Sequence, residues 1–183
     1  MSKIAVFFAE GYEEIEALAV VDVCRRLKIE VDMVSVTGEK QVVGAHGISV
    51  SMDKMFENID CSEYDMLVLP GGMPGTRNLE AHQGLMEQVD AFYAAGKYIG
   101  AICAAPSIFG HKGYLKGRKA CCFPNFESHL EGAEVTRDSV VVDGHVVTSR
   151  GMGTAIDFGL TIGGLLVSEE EAEALAKGII YRQ

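Results

Sequence analysis

Tyr98-Ile99-Gly100-Ala101-Ile102-Cys103-Ala104-Ala105-Pro106 is the stretch that decides the fold. Tyr98–Ile102 has the length and apolar character of a buried strand, and Ala104–His111 continues as a short helix. Cys103 stands at the junction, with small residues two positions before and two after it. A sharp strand-to-helix turn that projects a nucleophile needs such residues, because larger side chains would collide. It is the logic of the G-x-S-x-G elbow, with cysteine for serine and alanine for glycine. A helix start beside the sulfur favours thiolate over thiol. Read alone, the pattern fits a buried apolar cysteine equally well.

Working outward, strands and helices alternate along the chain. Lys3–Phe8 is an apolar run broken by Gly11, and Glu13–Lys28 reads as a helix, acidic at its start and basic at its end. Glu30–Val36 alternates as a strand does, and residues 38–53 form a hairpin or edge excursion. Asp65–Leu69 is a buried strand stopped by Pro70-Gly71-Gly72, and Leu79–Ala95 has helical periodicity. Arg118–Phe123 reads as a strand and Phe126–Glu131 as a short helix. Val140–Val142 and His145–Thr148 flank the Asp143-Gly144 hairpin signal. Thr154–Val167 and Glu169–Ile180 close the chain as helices. The order predicts one α/β domain over 1–183, a mostly parallel sheet with helices on both faces. Ligands of such folds sit beyond the C-terminal strand ends, here Ala9–Glu16, Pro70–Thr76, Cys103–Pro106 and Thr148–Thr154.

Composition narrows the function. The 183 residues carry a net charge of −10, which removes the basic footprint of a general nucleic-acid or anionic-membrane binder. No apolar run reaches membrane-span length, and the acidic turn after the first residues does not fit a signal peptide, so a cytoplasmic protein is expected. Five cysteines, Cys24, Cys61, Cys103, Cys121 and Cys122, without a C-x-x-C pair argue against a disulfide framework or a zinc site. No phosphate-binding P-loop pattern is present.

Two features support Cys103 as a functional residue. In Pro70-Gly71-Gly72-Met73-Pro74-Gly75 the glycines leave backbone N–H groups free to face a neighbouring site, and with Ala104 they provide an oxyanion hole. An ordinary Gly/Pro turn would read the same way. Glu13 and Glu14 read as complements to the helix dipole. Glu16 shares a helical stripe with Val20 and Val23, so it points toward apolar surroundings that raise its pKa and keep a proton for the sulfur.

Glu10–Glu16, Val21–Arg26, Leu69–Gly72, Ala101–Pro106 and Thr148–Thr154, taken together and in this order, resemble the ThiJ/PfpI superfamily. The nearest branch is that of the parkinsonism-associated protein deglycase and bacterial ThiJ-like proteins. The resemblance implies a flavodoxin-like three-layer sandwich of the class I glutamine amidotransferase-like type, and a homodimer. It implies Cys103 as the reactive cysteine, Glu16 as its protonated partner, and Gly72 and Ala104 as amide donors. It also implies glyoxalase, protein or nucleotide deglycase, or redox-regulated chaperone roles, with small reactive carbonyls or glycated adducts as substrates and no cofactor or metal.

The chain departs from the family pattern twice. Ala104 follows the cysteine where the protease-like branch has histidine, which disfavours peptidase activity. Phe123 stands where the deglycase branch often has histidine before a proline. His46, His82, His111, His129 and His145 read as surface or capping residues. Gly71, Met73 and Phe123 are expected around the pocket. Arg26 and Arg150 read first as solvated or structural residues, with contact to an anionic ligand or across the dimer as the alternative for each. A redox sensor whose Cys103 is oxidised to sulfinate is the alternative to a carbonyl enzyme. Thiazole biosynthesis has no support beyond an inherited family name.

Overall fold

The computed structural model describes residues 2–181. Its elements run β1 (Lys3–Phe8), α1 (Glu14–Arg26), β2 (Glu30–Ser35), β3 (Gln41–Val43), β4 (Ser49–Ser51), β5 (Lys54–Met55), β6 (Met66–Leu69), α2 (Gly75–Ala81), α3 (Gln83–Ala95), β7 (Tyr98–Ile102), α4 (Pro106–His111), β8 (Lys119–Ala120), β9 (Glu134–Val135), β10 (Val140–Asp143), β11 (Val146–Ser149), α5 (Ala155–Leu166) and α6 (Glu169–Gly178). Seven strands form one sheet in the order β10-β11-β7-β6-β1-β2-β5. All neighbours are parallel except the β10–β11 hairpin.

The pleat sorts side chains between two cores. Ile4, Val6, Phe8, Met66 and Val68 enter the core shared with Val20 and Val23 of α1, Phe158 and Ile162 of α5, and Ala172 and Ala176 of α6. Ala5, Phe7, Leu67 and Leu69 enter the other, with Leu79, Val89, Phe92 and Ile108 of α2, α3 and α4. Strands buried on both faces carry no polar alternation, which is why β1 and β6 read as unbroken apolar runs. The result is the expected helix–sheet–helix sandwich. No helix among the described residues is long and apolar enough to cross a membrane.

Three expectations are corrected. The helix read over Leu79–Ala95 is two helices, broken at His82, whose Nδ1 accepts the Leu85 N–H at 3.0 Å and caps α3. The periodicity hides the break because Leu79, Leu85 and Val89 enter one core. The strand read over Arg118–Phe123 shortens to β8, which pairs with β9 outside the main sheet. Past Ala120 the backbone is held instead by a side chain of β11 and by the turn after β7: Cys121 N–H donates to Thr148 Oγ1, and Phe123 N–H to the Cys103 carbonyl. The helix read over Phe126–Glu131 is one 3-10 turn, Glu127–His129. The excursion at 38–53 contains the antiparallel β3–β4 hairpin.

Sequence order reverses across the sheet at β1, which pairs with β2 on one side and β6 on the other. Ligand sites of open α/β sheets lie at such a switch point, beyond the strand C-termini. The segments after β1, β6, β7 and β11 all emerge at that edge.

Candidate active site

Cys103 is the first residue past β7 and has a φ of +66°, in the left-handed region that L side chains rarely occupy. The surroundings hold it there. Its N–H donates to the Ser149 carbonyl at 3.0 Å, and its carbonyl accepts from Phe123 N–H at 2.8 Å. Ala101 and Ala105 are fully buried on either side, where the elbow needs small residues. Strain over-determined in this way is a common feature of functional sites.

Glu16 reaches the sulfur from α1. Glu13 caps that helix, its Oε2 accepting the Glu16 N–H at 2.7 Å. The Glu16 carboxyl is buried, accepts the Gly71 N–H at 3.0 Å through Oε2 and hydrogen-bonds the Cys103 thiol. Burial pushes its pKa up to about 7; the bonds from Cys103 and Gly71 pull the other way, and the charge of Glu13 adds to the rise. Gly71 lies between the two functional groups. A Cβ there would stand 2.5 Å from Cys103 Cβ and 2.6 Å from Glu16 Oε2.

The backbone N–H groups of Gly72 and Ala104 both bond to the sulfur. Even so, the thiol is held well above its ordinary pKa, by burial first and then by the charge and hydrogen bond of Glu16. The expected preference for thiolate is therefore corrected: α4 starts only at Pro106, and the charge facing the sulfur is a carboxylate. That repulsion vanishes when Glu16 is protonated, and its O–H then becomes a third donor to the sulfur. The pair is arranged to share one proton.

The other expected residues divide. Met73 and Phe123 are partly exposed. Phe123 lies against Gly151: a Cβ on Gly151 would be 3.2 Å from Phe123 Cδ2 and 3.8 Å from Glu16 Oε1. Arg150 follows Ser149, which stands opposite Ile102 in the β11–β7 register, so it is brought beside the elbow. Arg26 is not. It lies ten residues beyond Glu16 on α1, about 15 Å along the axis, where it is exposed and pairs with Asp22 at 2.7 Å.

Among the described residues no histidine bonds to Cys103 or Glu16. His111 joins Glu80 at 2.6 Å and His129 at 3.0 Å, and His145 packs on Tyr93. His46 and Glu14 are more than the surface and dipole groups the sequence suggests. Glu14 is buried, with Oε1 accepting the His46 N–H at 2.7 Å and Oε2 lying 2.8 Å from His46 Nδ1. No sequence signal marks this pair, because it forms only when the turn of the β3–β4 hairpin packs on α1. Glu13, Glu14 and His46 are also the one triad among the described residues with ligand atoms within 4.8 Å of one another. Glu14 bonds His46 and Glu13 bonds the Glu16 N–H, so these groups brace the hairpin turn and the start of α1.

Comparison with known proteins places this geometry in context. The model of the DJ-1/PfpI family matches residues 2–163. Protein DJ-1 homolog B of Arabidopsis thaliana is 35% identical over 98% of this chain, which is 42% of that protein. The chain spans less than half of that relative and of DJ-1 homolog A from the same plant, of which it covers 45%. A protein of Pyrococcus abyssi named a deglycase is 31% identical over 81% of this chain and 89% of its own length. The solved structure of oxidized Toxoplasma gondii DJ-1 superimposes with a TM-score of 0.95, at 33% identity and full coverage of both chains.

Proposed function

The chain belongs to the DJ-1/PfpI family, and from that premise we propose that it is a cofactor-independent enzyme consuming small reactive carbonyls or their glycated adducts. The observation that carries this reading is the buried Glu16 carboxyl, with a pKa of about 7, bonded to a thiol that also receives two backbone N–H groups. The name deglycase on the Pyrococcus relative agrees with it.

With methylglyoxal, the thiol proton passes to Glu16 as Sγ attacks the aldehyde carbon. The S–C bond forms, and the carbonyl electron pair moves to oxygen, where the amides of Gly72 and Ala104 stabilise it. Glu16 returns its proton to that oxygen, giving a hemithioacetal. The Glu16 carboxylate then removes the hydrogen of the former aldehyde carbon and delivers it to the adjacent ketone carbon, while one proton moves between the two oxygens. The aldehyde carbon is thereby oxidised and the ketone carbon reduced, with no external oxidant. Water cleaves the resulting thioester, the thiol regains its proton, and lactate leaves.

Enantiomer-resolved lactate production from methylglyoxal without glutathione tests this. Wild type is expected to form one enantiomer in excess. Cys103→Ala is expected to form none, and Cys24→Ala to behave as wild type. Methylglyoxal loss without lactate would be mere thiol trapping and would overturn the reading.

A second reading rests on accessibility. Cys103 is partly exposed, whereas the other four free cysteines are buried. Peroxide would then oxidise the thiol to sulfenate, its proton passing to Glu16, and a second equivalent would give sulfinate, each step releasing water. Glu16 and the two amides supply donors to the new oxygens, and the oxidised state would alter partner binding or holdase activity. Mass spectrometry under graded peroxide separates the cases, since first oxidation at any other cysteine would sink this one. The proposal includes a cytoplasmic homodimer. The exposed Ile15 beside Glu14 and Ile48 beside the His46 turn supply apolar surface for the contact. A sedimentation mass of one chain would remove the dimer.

A further inference from the structure

A second polar feature reaches the same edge of the sheet. The Ser149 carbonyl accepts the Cys103 N–H, and Arg150 is the next residue. On the other flank, Phe123 N–H bonds the Cys103 carbonyl, and Cys122 precedes it. Residues from both flanks line one cavity of about 330 Å³, bounded by Cys122, Glu127, Val135, Thr136, Arg137 and Arg150. That volume is at the lower end of small-molecule sites. Two guanidiniums share its wall with one carboxylate. Among the described residues neither arginine side chain has an ion pair or hydrogen bond, although the chain carries 26 acidic residues. A half-buried guanidinium such as Arg150 gives up water without a compensating partner, and an anionic ligand would supply one. The carbonyl mechanism above uses neither arginine, because methylglyoxal is neutral.

We propose that this cavity is an anion subsite of the Cys103 site, and that the preferred substrates are reactive carbonyls bearing a carboxylate or phosphate. Arg150 grips the anion as a planar fork, and Arg137 closes on it from the exposed segment after β9. The inference rests on the reading of Cys103 as a carbonyl nucleophile and names its substrate class. A 2-oxoaldehyde with a distant carboxylate, 4,5-dioxovalerate, is the matching probe. The proton shift described for methylglyoxal would convert it to 2-hydroxyglutarate.

Two arms test the proposal. In the first, inorganic phosphate and succinate are titrated separately into the wild-type protein and into Cys103→Ala, with amide NMR shifts as readout and no chemistry involved. Saturable shifts at Thr136, Arg137 and Arg150 are expected in both proteins. Affinity is expected to fall about tenfold or more in Arg150→Gln, as for loss of a charged hydrogen bond. It should fall less in Arg137→Gln, whose exposed position leaves the fold intact. The tighter of the two anions identifies the group the subsite takes. Absence of saturable binding, or binding indifferent to both substitutions, overturns the subsite. In the second arm, wild type is expected to favour 4,5-dioxovalerate over methylglyoxal about tenfold or more in kcat/KM, mainly through KM, and both arginine variants to lose that preference. Equal kcat/KM values in wild type overturn the substrate class. If neither carbonyl is consumed, the carbonyl reading fails, and the first arm still decides the subsite.

Discussion

Glu14 and Glu16 stand two residues apart on the first turn of α1, and both are almost fully buried, at 2% and 1% exposure. The fold drives their proton affinities in opposite directions. Glu14 meets a hairpin that offers it an imidazole and backbone N–H groups; burial raises its pKa, but these bonds outweigh it and hold the group below its ordinary value. Glu16 meets a thiol and a single backbone N–H, so burial wins and the pKa rises to about 7. Similar exposure is therefore not equal burial: Glu14 sits shallow beneath the hairpin and Glu16 deep in the fold, and depth and donors together decide the charge. Glu14 is tied to the hairpin, whereas Glu16 keeps its proton toward neutral pH.

The largest test of this contrast is Glu16→Gln. Lactate formation should fall about a hundredfold or more, the scale of a lost general acid–base group, while Glu14→Gln should stay near wild type. Stability should move the other way. The folded pKa of Glu16, about 7, lies above its ordinary 4.5. The native state therefore holds a proton that the unfolded chain has released, and stability falls as pH rises from 4.5 to 7. The loss approaches about 3 kcal/mol. The glutamine variant should thus melt higher than wild type at pH 8 and no higher near pH 4. An equal melting shift at both pH values would break the comparison.

Next in size is Gly71→Ala. Its new methyl would collide with the Cys103 Cβ and the Glu16 carboxyl. A cost of about 1–3 kcal/mol in unfolding free energy is expected, as for other overpacked sites, with lactate formation impaired as well.

Glu14→Gln should cost about 1–2 kcal/mol, the worth of a charged hydrogen bond. The slope again reverses that of Glu16. The folded pKa of Glu14 is lowered, so its contribution is present above 4.5 and disappears as acid protonates it. The smallest effect belongs to His46→Ala, since the ring is exposed and backbone bonds to Glu14 remain. The raised pKa of His46 limits the ring's contribution to the acidic side, where it is lost as pH climbs through that pKa. An NMR titration should show the Glu14 pKa drifting upward in this variant while that of Glu16 stays in place.

Much of this was legible beforehand. The apolar runs of β1, β6 and β7 announce a buried parallel sheet, and the alanines around Cys103 announce the elbow, because strand burial and a tight turn impose local demands. The break at His82 was hidden because both helices present apolar residues to one core. The shortness of β8 was hidden because Thr148 and Cys103 take up the backbone groups that a longer strand would pair. Arg26 and Arg150 look alike in sequence, yet only one is carried to the site.

The sequence by itself determined the alternating elements, the strand end that presents Cys103 and the glycines that let backbone approach it. These follow from periodicity and steric fit over a few residues. Only the tertiary structure decided where the protons and charges reside. Glu14 finds its partner 32 residues away and Glu16 finds the Gly71 N–H 55 residues away. The charge of a buried group depends on lost water and on donors brought from elsewhere in the chain, and those exist only once the sheet has closed.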